Sequence, residues 1–138
     1  MGVARVVASA AVLLTAFGAA EAGTPGAAFA AGSTGARTIR LVLTVAKGES
    51  SQPAQRRASL TCQPAGGSHR QARTACGQLA KVGGRVDKLQ VDGGACTMQW
   101  DPVTVTANGT WKGRKVAYRH TFGNACTLGT ATGAVFSL

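Results

Sequence analysis

Carboxylates are scarce in this chain of 138 residues: 5 Asp+Glu stand against 15 Lys+Arg, with only two His. Beyond Glu21 the acidic residues are Glu49, Asp87, Asp92 and Asp101. Chemistry that rests on a carboxylate pair or on a carboxylate-rich metal site is therefore disfavoured. Aromatic rings are almost as few, with four Phe, two Trp and one Tyr, so the core must be built from Val, Leu and Ala and platforms for base stacking are poor. Long apolar runs are lacking too: the apolar, uncharged run from Val6 to Ala20 falls short of the roughly 20 residues a membrane-spanning helix needs, and no later segment is apolar over that length. With 45% hydrophobic and 14% charged residues the chain is nevertheless too apolar to stay disordered. One modest domain without a membrane span is the expectation.

The run from Val6 follows Arg5 and ends near two small-residue patterns, Ala20-Glu21-Ala22 and Ala28-Phe29-Ala30, which is how a secretory signal reads. Residues 1–22 are expected to be a signal peptide, with cleavage after Ala22 or as late as Ala30, and the product to be secreted and extracellular. Removal takes one charge of each sign and leaves the net charge at +10. Residues 23–37, rich in Gly, Ala, Ser and Thr, read as a flexible leader, and the folded domain as 38–138.

The four cysteines, Cys62, Cys76, Cys96 and Cys126, all follow the signal. In an oxidising compartment they read as two disulfides, for which three connectivities are possible; Cys62 with Cys76 and Cys96 with Cys126 closes the shortest sequential loops. A zinc site on Cys62, His69 and Cys76 lacks both the Cys-x-x-Cys spacing and a second nearby His. No metal or cofactor is expected.

Hydrophobic patterning gives an α+β fold. Ile39, Leu41, Leu43 and Val45 alternate as a strand whose other face, with Val42 and Ala46, is also apolar, so it is read as a central or covered strand. Arg56 to Gln63 reads as its antiparallel partner. Ser68 is expected to cap a helix that runs through Lys81, since Ala72, Cys76, Leu79 and Ala80 recur at helical spacing before Gly83-Gly84. Val103, Val105 and Ala107 alternate up to Asn108-Gly109, read as a hairpin turn, and Lys115 to Phe122 alternates again. Residues 124–133 read equally as a short helix or a loop, and Ala134 to Leu138 as a terminal strand.

Catalytic constellations do not emerge. His69 is read as a capping or solvated residue at a helix start, His120 as one position of an alternating strand, and nothing supplies a nucleophile and an orienting carboxylate beside either. The charge raises a different possibility: Arg56, Arg57, Arg114, Lys115 and Arg119, among others, could form a face for anionic polymers or a cell surface. No nucleic-acid-binding motif is present, and no nucleic-acid partner is expected. The remaining feature is Val91-Asp92-Gly93-Gly94-Ala95-Cys96-Thr97-Met98-Gln99-Trp100-Asp101-Pro102. Glycines and a proline mark it as a loop that holds a methionine two residues past a cysteine. Spacing alone leaves Met98 either exposed or folded back into the core, the commoner fate of methionine.

These residues carry a resemblance. Cys62, Pro64, Gly67, His69, Ala75, Cys76 and Leu79 match the signature spacing of the Streptomyces subtilisin inhibitor family, secreted inhibitors of serine proteases. Further matches are Leu41-Val42-Leu43-Thr44-Val45, Val82-Gly83-Gly84, Cys96-x-Met98, Asp101-Pro102, Gly109-x-Trp111-x-Gly113, Tyr118, Phe122, Asn124 and Cys126, so the similarity runs from about Leu41 to Leu138. Arg70 and Thr97 stand where the family usually or often has proline, and Gly77 and Gln99 are atypical.

The resemblance implies a five-stranded antiparallel sheet with two helices on one face, and the sequential disulfide pairing. It implies an inhibitor with no catalytic residues, whose reactive bond is Met98-Gln99. The reactive loop would include Ala95, Cys96, Thr97, Trp100 and Asp101, supported by Asn124 and Cys126. Subtilisin-like proteases would be its partners, chymotrypsin-like ones less favoured, and a homodimer would stack sheet faces around Val42. The alternative is a basic secreted protein that binds anionic polymers.

Overall fold

A computed structural model describes residues 38–138 except 92; the expected signal peptide, its cleavage after 22 or 30 and the leader at 23–37 lie outside the described residues. Four strands, β1 (Ile39–Lys47), β2 (Arg56–Cys62), β3 (Val103–Trp111) and β4 (Arg114–Phe122), form one antiparallel sheet in the order β2-β1-β3-β4. Helix α1 (Ala72–Lys81) follows β2, and α2 (Ala125–Thr132) follows β4. Ile39, Leu41, Leu43 and Val45 of β1 meet Leu60, Val105, Ala107 and Val116 on one face, where Ala75 and Leu79 of α1 and Leu128 of α2 close the core. The two faces of β1 are both used, as its patterning suggested, because β1 is central in the sheet and Ala46 on its second face is fully buried. Among the described residues no helix is long and apolar enough to cross a membrane.

The expected fifth strand is not formed: among the described residues the sheet has four. Ala134, Val135 and Phe136 are buried one after another, which a half-covered strand with alternating faces cannot do. Turn bonds from Val135 N to Thr132 O and from Ser137 N to Ala134 O fold this segment beneath the sheet instead.

The second hairpin turns later than Asn108-Gly109. Both residues lie inside β3, where Gly109 faces Leu41 of β1 so closely that a Cβ would stand 2.0 Å from the Arg40 carbonyl oxygen. Glycine serves there as clearance between strands. The turn falls at Lys112 and Gly113, with φ of 49° and 83°, the double positive φ that suits a two-residue hairpin.

Ser68 does not cap α1. Its Oγ accepts from Ser59 N at 2.9 Å and helps to close the free edge of β2, while the helix begins after Gln71 without a side-chain cap. His69 is not solvated: it is 5% exposed, its Nδ1 accepts from Gln71 N at 3.0 Å, and its Nε2 lies 3.1 Å from the Val135 carbonyl. With Nδ1 accepting, Nε2 carries the proton and donates to Val135, so this ring joins the helix start to the C-terminal turn. The ambiguous segment 124–133 resolves as α2. Its N-cap Asn124 accepts from Thr127 N at 2.9 Å, and Thr127 Oγ1 receives the Asn124 N–H at 3.2 Å, a reciprocal capping box.

Candidate functional site

Between the 3-10 turn at Val86–Lys88 and β3 the described residues form neither helix nor strand. Within that run Met98 is 96% exposed and Trp100 65%, the two large apolar side chains that the described surface leaves in water. Met98 is therefore no core residue. Ala95, Thr97, Gln99 and Asp101 around it are exposed as well. A segment with so little to bury would normally fray.

Covalent and polar ties hold it to the start of α2. Cys96 is bonded to Cys126 in the first turn of that helix. Asn124, the N-cap of the same helix, donates through Nδ2 to the carbonyl of Thr97 at 3.0 Å and to that of Gln99 at 2.9 Å. The two accepting carbonyls flank Met98, so one amide group fixes the chain on both sides of it. That amide is itself fixed, because its Oδ1 caps α2. The Nδ2 group has two N–H bonds and both are used.

Further ties close the two ends. Before the cysteine, Gly93 approaches α2 so closely that a Cβ would stand 2.4 Å from the Thr130 Cβ. After Met98, Asp101 N donates to Gly123 O at 2.9 Å, Gly48 N donates to Pro102 O at 2.7 Å, and Asp101 pairs with Lys47 at 3.4 Å. The pair is exposed on both sides and contributes little to stability; its effect is to hold the loop exit over the end of β1. The outcome is a projecting methionine on a backbone that is immobilised from both directions. Among the ties, Lys47, Gly48, Gly93 and Gly123 carry no local signal in the sequence, since each works through a partner distant along the chain.

The remaining expected site residues fall elsewhere. Cys62 and Cys76 are bonded to each other with Cα atoms 5.8 Å apart, joining β2 to α1 beneath the core and away from Met98. The pairing implied by the resemblance is the one present, and no described cysteine is free. Val42 lies on the sheet face opposite Leu41 and Leu43 and is half-buried. His120 is exposed on β4 and packs against Phe122, with ring centroids 4.5 Å apart.

Comparison with known proteins agrees with this geometry. A family model described as subtilisin inhibitor-like matches residues 37–124. Subtilisin inhibitor-like protein 5 of Streptomyces fradiae is 50% identical over 101 residues, covering 70% of this chain and 94% of that protein. Protease inhibitor SIL-V2 of Streptomyces orinoci is 46% identical over 101 residues, covering 70% and 93%. Among solved structures, Streptomyces caespitosus sermetstatin, crystallised in complex with Bacillus licheniformis subtilisin, superposes with a TM-score of 0.63 at 32% identity, covering 73% of this chain and 99% of that one. These relatives are protease inhibitors and not enzymes, and the chain belongs to the subtilisin inhibitor-like family.

Proposed function

We propose that this chain inhibits subtilisin-like serine proteases by offering Met98-Gln99 as a bond that is bound as substrate but released intact. The observation that carries the reading is the position of Asn124, which grips the carbonyls on both sides of an almost fully exposed methionine. A protease cleft binds an extended segment by main-chain hydrogen bonds, with one side chain in its primary pocket. Met98 is apolar and unbranched, which suits a broad apolar pocket.

Attack by the enzyme's serine on the Met98 carbonyl expels the amine of Gln99 and leaves an acyl-enzyme. In an ordinary substrate that amine diffuses away and water takes its place. Here the Gln99 carbonyl is bonded to Asn124, the Asp101 amide to Gly123, and the acyl side to Cys126 through Cys96. The amine stays beside the acyl carbon at high effective concentration, so the peptide bond re-forms faster than water reacts. Preordering also spares the entropy cost of docking, which lets an interface of about 1,600 Å² bind tightly.

The presence of two disulfides supports secretion into an oxidising compartment. Chymotrypsin-like enzymes, with a deeper apolar pocket, are weaker partners, and trypsin is not a partner through Met98 because its pocket selects a cation. Stacking of two copies about Val42 gives a homodimer, which the molar mass in solution at micromolar concentration checks. Titration of active subtilisin is the test of function. Linear loss of activity to a one-to-one endpoint is expected; subtilisin that keeps its activity at excess of this chain would refute the proposal.

A further inference from the structure

Sulfur in this chain is distributed so that one atom stands open to oxidants. The chain has two methionines, Met1 and Met98, and Met1 lies in the expected signal peptide. Among the described residues Met98 is therefore the one thioether, and at 96% exposure water reaches it from nearly every side. The cysteines offer no competing target: Cys62, Cys76, Cys96 and Cys126 are all held in disulfides, so the thiolate from which cysteine oxidation starts is missing. Stacking of two copies about Val42 leaves Met98 accessible, because its loop is bonded to α2, and Leu128 of that helix packs on the opposite face of the sheet.

We propose that Met98 is a reversible oxidation site that switches the inhibitor off. The proposal rests on the reading of Met98-Gln99 as the reactive bond. A hydroperoxide, in the simplest case hydrogen peroxide, transfers one oxygen atom to the Met98 sulfur: a sulfur lone pair attacks one peroxide oxygen, the O–O bond breaks, the S–O bond forms and water leaves. The sulfide loses two electrons and the peroxide gains them. Reversal takes two electrons and two protons from a thiol-dependent methionine sulfoxide reductase, and the oxygen departs as water.

The oxidised side chain is polar where the thioether was apolar. On the free protein the new oxygen is solvated, and it disturbs no packing because Met98 projects into water. In an apolar protease pocket that oxygen loses its water without gaining a partner, so the penalty falls wholly on the bound state. Asn124, the donor that grips this stretch of chain, has both N–H bonds of its amide engaged on the Thr97 and Gln99 carbonyls and has none to offer. Leucine at the same position would fill an apolar pocket without this sensitivity. The rival target on the loop is the indole of Trp100, 65% exposed.

The test is titration of subtilisin with protein that has been treated with dilute hydrogen peroxide and then freed of it. One added oxygen atom is expected, with fragment masses that place it on Met98 and not on Trp100. Apparent affinity should fall at least about tenfold while the melting temperature stays the same. Reductases for both sulfoxide epimers should remove the oxygen and restore inhibition to the level of unoxidised protein carried through the same reduction. Met98→Leu should inhibit equally before and after peroxide. Untreated protein that fails to inhibit would defeat the reactive-bond reading and this proposal with it. Undiminished inhibition by the singly oxidised protein would overturn this proposal alone. So would loss of inhibition by peroxide-treated Met98→Leu, oxygen located on Trp100, or recovery of the original mass without recovery of inhibition.

Discussion

The two disulfides separate their Cα atoms by the same 5.8 Å and do different work. Cys62-Cys76 closes 14 residues between β2 and α1, two elements that already bury Leu60, Ala75 and Leu79 together. Cys96-Cys126 closes 30 residues and fastens a segment whose side chains from Thr97 to Asp101 are all exposed. A cross-link between packed elements adds stability to an arrangement that packing has already chosen. One on an unpacked loop supplies order that nothing apolar can supply. The same chemistry serves the fold in one region and the proposed binding reaction in the other.

Breaking each bridge in turn is the strongest probe of that contrast. Cys96→Ser with Cys126→Ser should convert the inhibitor into a substrate, lowering apparent affinity for subtilisin roughly a hundredfold, on the scale of about 3 kcal/mol for closing such a loop. Cys62→Ser with Cys76→Ser should cost about 3 kcal/mol of folding stability, roughly 12 to 24 °C of melting temperature, yet leave inhibition per folded molecule unchanged. Equal effects on inhibition would erase the distinction between the two bridges. Melting curves beside inhibition titrations decide it.

A smaller effect is expected at the tip of the loop. Burying a methionine contributes roughly 1.5 to 3 kcal/mol, so Met98→Gly should weaken binding at least about tenfold, and Met98→Asp should weaken it further by burying an unpaired charge. Neither should alter the melting temperature, because Met98 packs against nothing. Met98→Lys should gain trypsin inhibition, measured by titrating active trypsin with the variant.

Asn124→Ala joins the two functions in one residue. Loss of its cap on α2 should cost about 1 kcal/mol in stability. Loss of its two bonds to the loop should raise the rate at which subtilisin cuts the chain, read by mass spectrometry over hours. Asn124→Asp keeps the cap but places a carboxylate against two carbonyls, so it should retain stability and still be cut faster.

How far all this was legible in the sequence follows the range of the forces involved. The periodicities of β1, of β4 and of α1 from Ala72 to Lys81 are local and emerge from residue type alone. The turn was misplaced at Asn108-Gly109 because Gly109 answers to the Arg40 carbonyl, a neighbour 69 positions earlier in the chain. Ala134 to Leu138 resembled a strand because its apolar content is real, but burial of three consecutive residues is a tertiary fact. Ser68 has the chemistry of a helix cap and spends it on Ser59. At the site, the loop that holds Met98 and the shortest-loop cysteine pairing are legible from residue type and spacing, whereas the choice of that pairing, the Met98-Gln99 bond and the supporting role of Asn124 follow from the family resemblance. The exposure of Met98 was not fixed by spacing, and the hold of Lys47, Gly48 and Gly93 on the loop depends on contacts that only the folded chain creates.

The smallest expected effect lies far from the loop. Half-buried Tyr118 has its phenol pushed above the usual value of 10.0, mainly by burial and secondarily by the Asp87 charge. A raised folded-state pKa favours the protonated phenol, so its contribution to stability is present below pH 10 and lost as pH rises through the folded value. Tyr118→Phe should remove part of the alkaline fall in melting temperature, while inhibition at neutral pH stays the same.

The central claim is that Met98-Gln99 is attacked and re-formed in place. Its most direct measurement is the mass of the chain recovered from a one-to-one mixture with active subtilisin, before and after reduction. A slowly established equilibrium is predicted between the intact chain and a form cut once, between Met98 and Gln99. In that form the Cys96-Cys126 bridge joins the two pieces until it is reduced. Cleavage at another bond, or rapid and complete digestion with recovery of enzyme activity, would contradict the account.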